Sequence, residues 1–261
     1  MTKNDMTQQD AMNNVKKNKR KAKLFAFAVL VIVAVIGISF CYFELFKFEQ
    51  LVIKGECPYD NSAVLEGIGM NKGDRLYDKS EKQIRESAKY NLPYIDSVEV
   101  SHIWPSTLVL TVEQAQPTFY VKISDDMYVL SQSRRVLSRT DNAETVEKNN
   151  LILLQIPDIT SCVEGEFLET SEETNLLLDT IITGLEECSE LVNVTRINVN
   201  DKFNIEFMYG TKYLVKLGDA KNLDVKIQFM NAIIEKKKND GTSGIIDVSD
   251  EEGREGTFKN F

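Results

Sequence analysis

The sequence predicts an α+β protein: an apolar helix near the N-terminus, a small β-α-α-β-β unit, then a mostly antiparallel β region with two helices. Three observations predict it. An uncharged run occupies residues 24–43, alternating apolar runs recur at hairpin spacing from residue 95 onward, and amphipathic stripes mark the helices between them. The 261 residues, 43% hydrophobic and 27% charged, have the composition of a folded chain.

The apolar run comes first. Thirteen of its twenty residues are Leu, Ile, Val or Phe. As a helix, the run spans about 30 Å, the thickness of a bilayer core, and those side chains favour insertion by about 5 kcal/mol. It has no polar face, so a soluble core helix does not fit. A cleaved signal peptide has a shorter core and small residues at its end, whereas this run ends in Phe40, Cys41, Tyr42 and Phe43. Residues 1–23 carry seven basic and two acidic residues, a net of +5, which leaves −14 for the remainder of a chain whose total is −9. The basic flank predicts a cytoplasmic N-terminus and an uncleaved single span of type II orientation at the cell membrane, with residues 44–261 outside. An acidic body with pI near 4.9 argues against nucleic-acid binding.

The unit at 44–117 reads in order. Residues 48–55 form a strand ending at Gly55. Asn61 or Ser62 caps a brief helix over 63–67. Ser80 opens a second helix, with Gln83 completing a capping box, and Leu92-Pro93 stops it. Ile95, Val98 and Val100, then Leu108, Leu110 and Val112, alternate on either side of the turn Trp104-Pro105-Ser106. In the region 118–261, residues 118–123 and 127–131 pair across Asp125-Asp126, and 151–156 is a further strand. Residues 170–190 form a helix, with Ser171 and Thr174 at its start. Three strands at 194–199, 203–208 and 213–217 precede a helix over 222–238 capped by Asp219. Residues 245–248 and 254–261 are the closing strands.

Candidate chemistry is sparse. A single histidine, His102, excludes sites built on two imidazoles, and no nucleophile stands in a motif with it. The stretch Gly67–Gly73 carries one residue too many for a dinucleotide loop and follows a helix instead of a strand. The stretch 149–195 holds ten acidic and no basic residues, without the spacing of a calcium loop, and reads as a solvated face, with an acidic partner-docking face as the alternative. Cys57, Cys162 and Cys188 lie outside the apolar run. Their spacing fits neither a disulfide scaffold nor a metal site, so no bridge is assigned, though a pair among them stays open. No catalytic residue, metal, cofactor or small-molecule substrate is expected. The final strand is the candidate site. An unpaired edge offers free N–H and C=O groups to another chain. Arg254, Gly256, Thr257, Phe258, Lys259 and Phe261 are the residues expected to meet it, with Phe258 and Thr257 giving selectivity.

The element order of residues 48–115 resembles the POTRA fold, and so do particular residues. Ile53-Lys54-Gly55 is similar to that fold's first-strand ending, Leu76-Tyr77-Asp78 to the segment before its second helix, and Leu92 through Val100 to its "LP-x-I-x-x-A-x-V" stretch. Ile103 through Leu108 is similar to its "W-P-x-T-L" hairpin, and Glu113 through Pro117, with one residue more, to "E-x-x-P". Together with the membrane helix and the closing segments at 210–217 and 246–248, the chain resembles the bacterial cell-division family FtsQ/DivIB. It departs from that family at Ser249 and Asp250, where basic and aromatic residues are usual. The resemblance implies a domain order of basic tail (1–23), transmembrane helix (24–43), POTRA domain (44–117) and β domain (118–261). It also implies a non-enzymatic scaffold of the division septum whose last strand receives an FtsB-like partner in complex with an FtsL-like one. Two rivals remain at this point: a POTRA-bearing polypeptide-transport component and an anchored cell-wall enzyme.

Overall fold

A computed structural model describes residues 23, 25–40, 46–237, 241–250 and 256–261. Two sheets organise the chain. The first has three strands in the order β1-β3-β2, with β1 (Gln50–Gly55) parallel to β3 (Thr107–Gln114) and β2 (Ile95–Ile103) antiparallel to it. Helices α1 (Asn61–Ile68) and α2 (Glu81–Asn91) cover this sheet. Their buried Val64, Ile68, Ile84 and Ala88 meet Ile95, Val98, Leu108 and Leu110 in one core. The α2 capping box forms as expected: the Gln83 amide donates to Ser80 Oγ at 3.3 Å, and Ser80 N–H donates to Gln83 Oε1 at 2.9 Å. The cap of α1 differs. Asp60 performs it, accepting from Ala63 N–H at 2.7 Å, because its carboxylate lies one residue ahead of the helix start.

The second sheet runs β12-β11-β10-β9-β8-β7-β4-β5-β6. Its strands are β4 (Pro117–Ile123), β5 (Asp126–Ser131), β6 (Val136–Thr140), β7 (Ile152–Gln155), β8 (Val194–Asn198), β9 (Ile205–Tyr209), β10 (Tyr213–Gly218), β11 (Gly244–Asp247) and β12 (Thr257–Asn260). Five of its pairings are antiparallel, and three (β4/β7, β7/β8 and β10/β11) are parallel. Helices α4 (Glu172–Glu187) and α5 (Leu223–Lys237) lie on one face. There Leu178, Ile181, Ile227 and Met230 bury Phe119, Val121, Ile197, Phe207 and Val215. The opposite face carries a smaller cluster: Met127, Val129 and Leu137 pack against Val146 of α3 (Ala143–Lys148) and Leu151. Period-two alternation sorts neighbours to opposite faces, Val136 to one core and Leu137 to the other.

Two features of this sheet depart from expectation. Strand β6 and helix α3 fill 136–148, where no element is expected. Asp219 does not cap α5. It accepts from the Lys226 ammonium at 2.9 Å, and that ammonium, wholly buried, also donates to the Leu217 and Asp219 carbonyls at 2.9 Å. Burial works to raise the Asp219 carboxyl, but hydrogen bonds from Lys226 and Lys221 outweigh it and hold the group below its ordinary value. The expected Ser171 cap is present, accepting from Thr174 N–H at 3.2 Å.

The two sheets meet at Arg135, which is almost wholly buried. Its guanidinium donates to the carbonyls of Lys89 (3.3 Å), Pro93 (2.7 Å) and Ile95. Burial draws the guanidinium below its ordinary value, opposed by Asp96 and Tyr59. Beside it the hydroxyls of Tyr94 and Ser138 are hydrogen-bonded at 2.9 Å.

Among the described residues no helix is long and apolar enough to cross a membrane. Of the expected span 24–43, residues 24 and 41–43 lie outside the described set, as does the basic tail 1–22. Residues 25–40 are helical, and every one is exposed, Phe25, Leu30, Ile36 and Phe40 among them.

Candidate partner-docking edge

Strand β12 stands at one end of the nine-stranded sheet and, among the described residues, pairs only with β11, which leaves its outer side an open edge there. The direction of its backbone groups follows from β11. Gly244 N–H donates to Lys212 O at 3.0 Å and Val248 N–H to Lys216 O at 2.9 Å, so the even-numbered residues of β11 point their backbone toward β10. Ile245 and Asp247 therefore serve β12, and their register partners are Lys259 and Thr257. Phe258 and Asn260, opposite Ile246 and Gly244, turn their N–H and C=O groups outward. These two residues offer two donors and two acceptors to an added strand. At roughly 1 kcal/mol net each they supply about 4 kcal/mol, half of what a micromolar complex needs. Side-chain contacts have to supply the rest.

The side chains divide between the faces. Phe258 turns inward: its ring packs on Tyr213 at 6.4 Å in an edge-on arrangement, and Lys237 Nζ lies 5.0 Å from its centroid. It stands opposite the wholly buried Ile246, so alternation assigns it to the core face. Its ring is the strand's seat, and only its backbone faces the edge. Thr257 and Lys259 are exposed on the other face, and Phe261 is 73% exposed beyond the strand. Gly256 precedes the strand and is half-buried. Arg254 lies outside the described residues. The seat itself (Tyr213, Lys237, Gly244) was not expected. The one available signal was Gly244 facing an aromatic strand, since a glycine in a strand marks close approach of another group.

The other candidate residues are accounted for structurally. His102 sits on β2 with its ring 4.9 Å from Tyr77 and Nε2 without a hydrogen-bond partner among the described residues. Several acids of the 149–195 stretch pair across elements: Asp179 with Arg134 at 2.6 Å, Glu173 with Lys202 at 2.6 Å, and Glu190 accepting from Tyr209 Oη at 2.8 Å. Among the described residues no group of three or more His, Cys, Asp or Glu could hold a metal ion. Cys57, Cys162 and Cys188 are free thiols, and burial pushes Cys162 up to about 11.

A three-stranded sheet under two helices, with one parallel and one antiparallel pairing, defines a POTRA module. Residues 46–114 match the model of the FtsQ-type POTRA domain. Over 94% of both chains, the protein is 20% identical to the cell division protein DivIB of Clostridium botulinum. It is 24% identical to the cell division protein FtsQ of Corynebacterium glutamicum over half of this chain and 59% of that one. The cell division protein FtsQ of Rickettsia conorii is 23% identical over 68% of this chain and 65% of its own. Over most of its length the chain is thus similar to cell division proteins of the FtsQ/DivIB family, and it carries an FtsQ-type POTRA domain.

Proposed function

We propose that this protein is a non-enzymatic scaffold of the division septum that recruits an FtsB-like partner, in complex with an FtsL-like one, by β-strand addition to β12. The single observation that carries this reading is the open side of β12, where Phe258 and Asn260 direct their N–H and C=O groups away from the sheet. The contact residues are Gly256, Thr257, Phe258, Lys259 and Phe261, with Arg254 just upstream: backbone from Phe258, side chains from Thr257, Lys259 and Phe261.

The anchor belongs to the same proposal. Residues 24–43 cross the cell membrane once with the N-terminus in the cytoplasm, and the POTRA domain (44–117) and β domain (118–261) lie outside. The apolar helix at 25–40 supports this, since sixteen consecutive residues without charge, all exposed among the described residues, are at odds with water as their solvent.

The test is co-purification of FtsB-like and FtsL-like partners with tagged full-length protein and with a chain lacking residues 256–261. The expected result is loss of both partners from the shortened chain, with the circular dichroism of the folded domains kept. Equal recovery from both chains would overturn the edge assignment.

A further inference from the structure

One end of the POTRA module presents an aromatic cluster that the reading above does not use. Trp104, the sole tryptophan of the chain, is 71% exposed at the tip of the β2–β3 hairpin, beside Ile103 at 54%. The Phe46 ring meets the Trp104 ring edge-on at 4.5 Å and lies 6.0 Å from Tyr77, which in turn stacks near His102. Backbone hydrogen bonds fix this cluster at the end where the chain enters the module. Leu76 N–H donates to Phe46 O at 2.9 Å, Phe48 N–H to Asp74 O at 2.7 Å, and Glu49 N–H to Ser106 O at 2.9 Å. Residues 46–49 are thus clamped between the α1–α2 loop and the hairpin turn.

Only five residues separate Phe46 from residue 40, the last described residue of the apolar helix. Fully extended, that stretch spans at most about 20 Å, so the cluster cannot stray far from the helix end. Tryptophan, tyrosine and histidine join an apolar body to a polar tip, the side-chain type that settles at the headgroup level of a bilayer.

We propose that the Trp104–Ile103–Tyr77–Phe46 end of the POTRA module rests on the outer lipid headgroup layer, which sets the height and tilt of the extracytoplasmic body above the membrane. This rests on the membrane-anchor reading, and the experiment separates the two. Full-length protein is reconstituted in phosphatidylcholine–phosphatidylglycerol vesicles whose acyl chains are brominated near the headgroup. Flotation with the vesicles tests the anchor, and Trp104 fluorescence tests the docking.

The expected result is flotation together with a blue-shifted Trp104 emission that brominated lipid largely quenches. Ile103→Asp, a change at an exposed position, should return the emission to its solvent-exposed form while flotation is kept. Moving the reporter to the turn that precedes β8, with Val192→Trp (86% exposed in the wild type) on a Trp104→Phe background, should leave the emission unquenched. Flotation with unquenched Trp104, quenching that survives Ile103→Asp, or equal quenching at position 192 would each overturn the docking. Failure to float would overturn the anchor, and the docking with it.

Discussion

The ring of Phe258 lies directly against Gly244, so closely that a β-carbon at residue 244 would stand 2.7 Å from the ring and press into the carbonyl oxygen of Lys259. The edge strand is held on the sheet by this contact, by the Tyr213 packing and by the ladder to Ile245 and Asp247. Gly244 is therefore the position from which β12 can be displaced without touching its own sequence. Gly244→Ala is expected to cost about 1–3 kcal/mol. It should also abolish hydrogen-exchange protection at the Thr257 and Lys259 amides while leaving β8–β10 protected. Exchange measured residue by residue on both proteins checks this.

Arg135 ties the two sheets together through carbonyls at the end of α2 and the start of β2. Removing its side chain strands those acceptors in a buried place. Arg135→Leu should destabilise the protein by about 3 kcal/mol in denaturant unfolding. Arg135→Lys should recover little of it, because one ammonium cannot span the same fork of acceptors. Full recovery by lysine would mean that charge alone matters there.

Asp158 pins the start of α4. Its carboxylate accepts from Thr170 Oγ1 at 2.5 Å and from Ser171 N–H at 3.2 Å. Hydrogen bonds from the Ser171 and Thr170 side chains hold it down at about 2, against an ordinary 3.8. A depressed carboxyl stabilises the fold above its unfolded value and loses that contribution as pH falls through its folded one. Melting temperature should therefore fall between pH 4 and pH 2 in the parent protein, and less steeply in Asp158→Asn across the same window. Parallel slopes would contradict the assignment.

Much of the fold was legible in local pattern. The Ser80–Gln83 box, the Ser171 cap and the alternation of Val98–Val100 against Leu108–Val112 are short-range signals, and each appears where the sequence puts it. Strand β6 and helix α3 were not legible, because Val136-Leu137 is a two-residue apolar run and α3 has only Val146 buried, too little periodicity to register. Asp219 looked like a cap because it precedes a helix. Its partner is the buried Lys226, a tertiary pairing that helix-start patterns do not carry. The edge position of β12 was legible from chain order, but the inward turn of Phe258 depends on register with Ile246, fixed only once β11 is in place. The aromatic end at Trp104 is not legible in the sequence for a similar reason, since Phe46, Tyr77 and Trp104 come together from three separate segments.

The central claim is that a partner strand adds to the outward backbone of β12, and Asn260 offers the most direct test because its N–H faces outward while its side chain is exposed. Partner capture should be compared for Asn260→Pro, which removes that donor, and Asn260→Ala, which keeps it. The account predicts at least a tenfold loss of FtsB-like partner for proline and near-parental capture for alanine, with both variants melting close to the parent; undiminished capture by Asn260→Pro would contradict it.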